Sequence, residues 1–125
     1  WTEDRKKQAT KLGLSALQVI DLAAIVQKET QKVDERPRVA GVYFNRLKRR
    51  MKLQADPTVI YAMKLQYDNF DTIIKRVLYK DLTIESPYNT YRNRGLPPGP
   101  INNPGKKSIL AALYPANHNY LYFVL

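Results

Sequence analysis

Glu29 is the residue whose neighbours could do chemistry. It ends the run Leu22-Ala-Ala-Ile25-Val26-Gln-Lys-Glu29. At helical spacing it stacks over Val26 and Ile25, with Leu22 a turn further back, while Lys28 projects toward Asp21 and the solvent edge. A carboxyl group among aliphatic side chains loses hydration, which disfavours its charged form and raises its pKa. That is what a general acid needs near neutral pH. The same spacing also suits a carboxylate that snorkels to water or pairs with Lys32, and the helix pattern alone leaves both open.

Cleavage of a glycosidic bond normally uses two carboxyl groups. The obvious second is Asp56, but it stands before Pro57 and reads as a helix N-cap. The other acids lie in polar stretches. A single-acid mechanism, in which the substrate supplies its own nucleophile, fits better. Gln54 and the segment Tyr88-Asn89-Thr90-Tyr91 add amides and phenols suited to the N-acetyl and hydroxyl groups of sugars. In loops such residues also satisfy backbone groups. There is no cysteine, hence no disulfide framework, thiolate metal site or thiol nucleophile. A lone histidine, His118, argues against a histidine zinc site or a Ser-His-Asp triad. Neither metal nor cofactor is expected.

The elements that must hold these residues follow from local signals. At 125 residues the chain is read as one domain, 1–125. A charged lead-in, residues 1–13, reads as the end of a helix stopped by Gly13. Ser15-Ala-Leu-Gln18 is a capping box, with Leu14 and Val19 as its staple, and opens a helix from Ala16 to about Thr30. Asp34 is expected to cap a second helix with Val39, Val42, Tyr43 and Leu47 on its buried stripe. A third runs from Pro57 to about Lys64, and Ile73, Ile74, Val77 and Leu78 suggest a short fourth. Residues 85–105 hold prolines 87, 97, 98, 100 and 104 of the eight in the chain, so this long loop is stiff. Asn103-Pro104 opens a last helix through Leu113, and Tyr120–Leu125 reads as a β-strand. The fold expected is α+β, mostly helical. In it the Glu29 helix is central, the proline-rich loop is one wall of an open groove, and the β element is small and C-terminal.

The net charge of +10 predicts attraction to a polyanion. Its clusters, Lys48-Arg49-Arg50 with Lys52 and Arg5-Lys6-Lys7 with Lys11, read as helix ends and solvated faces. A nucleic-acid module would interleave aromatic and basic residues on one face within a known motif, and none is present. No run approaches the ~20 apolar residues of a membrane span.

Several segments resemble, in order and spacing, the YceG-like, or MltG, family of endolytic murein transglycosylases. They are Ile25-Val-Gln-Lys-Glu29-Thr30, Ala40-Gly-Val-Tyr-Phe-Asn45-Arg46-Leu47 and Leu53-Gln54-Ala-Asp56-Pro57-Thr58-Val59-Ile-Tyr61, then Tyr88-Asn89-Thr90-Tyr91, Gly95-Leu-Pro97-Pro98-Gly-Pro100-Ile101 and Tyr120-Leu-Tyr-Phe123. The resemblance implies cleavage of the β-1,4 bond between N-acetylmuramic acid and N-acetylglucosamine in nascent glycan strands. The muramyl C6 hydroxyl attacks instead of water, leaving a 1,6-anhydromuramyl end. The family's catalytic glutamate matches Glu29, the second acid of its usual E-K-E-T stretch, whose first acid is here Gln27. Substrate contacts are then expected from Gln54, Asn89 and Tyr88, from Thr58, Tyr61 and Tyr91 lining the cleft, and from Asn45. Other lytic transglycosylases offer an analogy in Glu29-Thr30, Leu53-Gln54 and Tyr88-Asn89, with a lysozyme-like arrangement of the site.

The resemblance also implies a truncated catalytic domain, without the family's membrane anchor, wall-binding subdomain and C-terminal tail. The setting expected is the cell envelope, anchored to the plasma membrane and facing the periplasm or outer side. Partners expected are peptidoglycan strands, peptidoglycan synthases and the membrane, with no nucleic acid. The alternative is a non-catalytic module that binds peptidoglycan or a polyanion. Mass spectrometry of digested sacculi, looking for anhydro ends, separates the two.

Overall fold

Ser15 starts the helix on which the other helices pack. Its hydroxyl accepts from the Gln18 amide at 3.1 Å, and the Gln18 side chain accepts from the Ser15 amide at 2.9 Å, the reciprocal cap expected from the sequence. The structure is a computed structural model that describes residues 1–67 and 77–124. Among these residues the helices are α1 (Glu3–Leu12), α2 (Ala16–Glu29), α3 (Arg36–Lys48), α4 (Asp56–Tyr67) and α5 (Lys106–Leu113). Short 3-10 turns lie at Val33–Glu35 and Tyr79–Thr83. No single helix among the described residues is long and apolar enough to cross a membrane.

The helix α2 touches each of the other four. Val19, Leu22, Ala23, Ala24, Ile25 and Val26 are fully buried there, against Val39, Ala40 and Tyr43 of α3 and Ala112 and Leu113 of α5. Burying Leu22, Ile25 and Val26 contributes roughly 1.5–3 kcal/mol each. That outweighs the cost of half-burying one carboxyl group at the helix end.

Gln27 fastens α5 to α2. The N-cap of α5 is Gly105, which has no side chain to offer. The Gln27 carbonyl oxygen takes the role, accepting from the Gly105 amide at 2.6 Å and the Ser108 hydroxyl at 3.1 Å.

The fold is mostly helical, as expected, with local departures. Asp34 does not cap α3. It sits in the 3-10 turn, and α3 starts at Arg36 with Pro37 in its first turn, where a missing N–H costs nothing. The helix α4 extends three residues beyond Lys64. Ile73 and Ile74 of the suggested fourth helix lie outside the described residues, while Val77 and Leu78 are non-helical and precede the second 3-10 turn. Asp21 is not at the solvent edge: it is 3% exposed, and one of its carboxylate oxygens is buried without a hydrogen-bond partner.

The C-terminal strand is also corrected: no β-strand occurs among the described residues. Side chains of α3 occupy the carbonyls that a sheet neighbour would use. The Asn45 amide nitrogen donates to the His118 and Tyr120 carbonyls at 2.8 and 3.0 Å. The Arg46 Nε donates to the Leu121 carbonyl at 2.7 Å. This close approach depends on Gly41, where a Cβ would lie 2.6 Å from the Ala116 carbonyl and 2.7 Å from His118 Nε2.

Two stability predictions follow from this packing. Alanine for glycine inside a helix ordinarily stabilises by about 0.5–1 kcal/mol. Gly41→Ala should instead destabilise by about 1–3 kcal/mol in urea unfolding, because a backbone carbonyl must move. An unchanged or raised midpoint would contradict the close approach. Burial pushes the Asp21 pKa up to about 6 from 3.8. The folded state therefore holds more protons between those values, so stability falls as pH rises through that window and the loss is complete above it. Asp21→Asn should then stabilise at pH 7 by on the order of 1–3 kcal/mol. Unfolding curves should lose that gain below about pH 4; a gain surviving at pH 3 would rule out ionisation as its cause.

Candidate active site

Glu29 is the last residue of α2, so its carboxyl meets the negative end of the helix dipole as well as the apolar face beneath it. It opens into a cleft of about 230 Å³, shared with Tyr43 and Arg46 of α3, Gln54, Asp56, Tyr91 and the C-terminal Tyr122 and Phe123. The Tyr43 hydroxyl donates to Glu29 Oε2 at 3.1 Å. The pKa of Glu29 is raised: burial is the largest cause, and the negative charge of Asp56 adds to it. The Tyr43 hydrogen bond and the Arg46 charge oppose the rise without cancelling it. Burial, then the charge of Glu29, pushes the Tyr43 hydroxyl well above its ordinary value, so it stays a donor.

Asp56 has a larger part here than helix capping suggests. It opens α4, where the helix dipole favours a negative charge, and accepts from the Tyr91 hydroxyl at 2.5 Å. The two acids of the cleft thus occupy opposite poles of two helices. The environment of Glu29 disfavours its charge, which suits a proton donor.

Gln54 enters the cleft from a strained turn. Its φ is +53°, in the left-handed region that non-glycine residues rarely adopt. Two contacts hold it there: its amide donates to the Thr90 carbonyl at 3.2 Å, and the Arg46 guanidinium donates to the neighbouring Leu53 carbonyl. Backbone held in this way is common at functional sites. Thr90 continues the seam, accepting from the Ala55 amide at 2.9 Å and lying 2.8 Å from the Thr58 hydroxyl. The proline-rich loop is thereby joined to the start of α4, and Tyr91 is brought opposite Asp56.

Of the residues expected from sequence, Glu29, Gln54 and Tyr91 come together in this cleft. Thr58 and Asn89 are fully buried beneath its wall. Asn89 spends its whole amide on the loop: it donates to the Leu82 and Ile84 carbonyls at 3.0 and 2.8 Å and accepts from the Tyr91 amide at 2.9 Å. The Asn45 amide nitrogen is likewise committed to the C-terminal segment. In this structure these three residues are buried and bonded within the fold rather than presented to the cleft. Tyr61 and Tyr88 do not line the Glu29 cleft; their rings pair at 4.8 Å, and Tyr61 borders a neighbouring pocket.

Tyr43, Arg46 and Tyr122 carried no site role in the sequence reading. Arg46 had a signal: it lies three residues after Tyr43, on the same apolar stripe, where an arginine needs a reason. It is 7% exposed and lies over the Tyr122 ring at 5.1 Å, while Phe123 meets Tyr43 edge-on at 5.6 Å.

The YceG-like family model matches residues 1–125. A Bacillus subtilis (strain 168) protein named endolytic murein transglycosylase is 44% identical over 124 residues, covering 99% of this chain and 32% of its own. Streptococcus pneumoniae proteins of that name, from strains D39 and R6, are 35% identical over 112 residues, covering 90% of this chain and 20% of theirs. The crystal structure of a YceG-like protein from Listeria monocytogenes superposes with a TM-score of 0.84 at 41% identity, over 98% of this chain and 38% of that one. The chain thus spans about a third or less of the curated relatives it matches. With a cleft built around the last residue of its central helix, this chain belongs to the YceG-like family.

Proposed function

We propose that the chain is the catalytic part of an endolytic lytic transglycosylase, with Glu29 as its single acid and base. Its substrate is the β-1,4 bond between N-acetylmuramic acid and N-acetylglucosamine within peptidoglycan strands. One observation carries the reading: a half-buried Glu29 with a raised pKa, hydrogen-bonded by Tyr43 in an open cleft. The name of the relatives, endolytic murein transglycosylase, supports the substrate class.

Protonated Glu29 donates to the glycosidic oxygen as the C1–O bond breaks and positive charge develops at C1. The muramyl C6 hydroxyl then closes on C1, and the Glu29 carboxylate takes its proton. One C–O bond is lost, one is gained, no water is consumed, and Glu29 ends protonated. Tyr43 serves the middle of this cycle, since its hydrogen bond favours the carboxylate form. Asp56 serves the beginning, because its charge keeps the proton on Glu29. Gln54 and Tyr91 face the same space and are assigned to the N-acetyl and hydroxyl groups of the sugar. By analogy the arrangement is lysozyme-like, and an open cleft suits cutting inside a polymer. The same reading sets the protein in the cell envelope, anchored to the plasma membrane with this domain outside. There it would limit strand length beside the peptidoglycan synthases.

Glu29→Gln should keep the fold and lower the yield of anhydromuramyl ends from purified sacculi at least about a hundredfold. Near-normal product by mass spectrometry would remove Glu29 from the mechanism. Tyr43→Phe separates pKa tuning from structure. Loss of a bond to the carboxylate should raise the Glu29 pKa further, so the alkaline limb of kcat/KM moves to higher pH. The rate should drop about tenfold or more, as for one hydrogen bond to a charged group. A limb that stays in place or moves to lower pH would contradict the assignment.

A further inference from the structure

Beside the Glu29 cleft lies a second concavity of about 320 Å³ that the proposed chemistry leaves unused. Its walls continue those of the cleft. On α2 it takes Lys28, the residue before Glu29, and on α4 it takes Pro57, the residue after Asp56. On both helices, each hollow thus has a wall residue next in sequence to one of the other's. Further along α4 come Ile60, Tyr61 and Lys64, and Ile101 of the proline-rich loop completes an apolar floor.

Two features give this pocket a chemistry. Among the described residues its lining includes two ammonium groups, Lys28 and Lys64, with the amide of Asn102 and no carboxylate. Neither lysine makes an ion pair among the described residues, where the pairs are Lys6–Glu3 and Arg92–Glu85. Cations held over an apolar floor suit a ligand with a carboxylate at one end and small alkyl groups beside it. The volume of about 320 Å³ is at the lower end of the range for small-ligand sites, room for part of a short peptide.

We infer that this pocket is a subsite for the short peptide carried on the muramyl residue, whose carboxylate binds Lys28 and Lys64. The inference rests on the proposed reading of Glu29, because the peptide reaches the pocket when its sugar lies over that residue. A peptide so held fixes which sugar presents its C6 hydroxyl to the cleft. Lys28 and Lys64 therefore act in substrate selection, apart from the proton transfers.

The test compares peptide-bearing glycan strands with strands stripped of peptide by an amidase, using the full protein and counting anhydro ends. For Lys28→Ala/Lys64→Ala, KM on peptide-bearing strands should rise about five- to tenfold with kcat little changed. The preference for those strands over stripped ones should collapse. Equal losses on both substrates, or none on either, would overturn the subsite. Binding gives a second arm without turnover. The Glu29→Gln protein should bind a free muramyl tetrapeptide, the double variant should bind it at least fivefold more weakly, and inorganic phosphate should not displace it. Displacement by phosphate at similar concentration would mean a general anion site and would overturn the proposal. A parent protein making no anhydro ends from either substrate refutes the Glu29 reading instead, and the binding arm still judges the pocket.

Discussion

A buried guanidinium must find acceptors, and Arg46 finds them in two segments that no sheet joins. One donor goes to the Leu53 carbonyl, just before the strained Gln54, and another to the Leu121 carbonyl, just before Tyr122. The turn ahead of α4 and the C-terminal segment are thereby held against one turn of α3, the turn that also presents Tyr43. Three walls of the cleft share this single cation. Its charge then acts on the contents of the cleft, opposing the rise in the Glu29 pKa. Leaving such a group unpaired would cost several kcal/mol, so the framework and the electrostatics cannot be altered separately.

The state of Glu29 reflects a contest between effects of similar kind. Desolvation over Ile25 and Val26 and the charge of Asp56 favour the acid, while Tyr43 and Arg46 favour the carboxylate. The acid side prevails, but both sides are present, as a group that must give up a proton and recover it requires. Neither α2 nor α3 could make this balance alone. It arises where the end of one helix crosses the middle of another.

Features that depend on neighbours in sequence were legible. The Ser15–Gln18 box set the start of α2, and its apolar spacing identified Glu29 as a carboxyl over a buried stripe. Pro57 marked the first turn of α4. Distant partners were not legible. Asn45 and Asn89 look like sugar-reading amides, yet one holds carbonyls more than seventy positions away and the other folds its own loop. The strand-like composition of Tyr120-Leu-Tyr-Phe-Val expresses a preference that a pairing edge must satisfy, and α3 side chains take those carbonyls instead. Asp56 was read as a cap because its chain neighbours explain it. Its nearness to Glu29 is a product of tertiary packing.

Gln27 has a consequence of its own. Two positions before the acid, this chain anchors α5 with a neutral amide. An amide has no proton to lose in the range where Glu29 works, so the joint between the two helices keeps its strength across that range. It also adds no negative charge beside Glu29. Scaffold and acid are therefore uncoupled: acidity in the surroundings can reset the charge on Glu29 while the joint that steadies its helix stays unchanged.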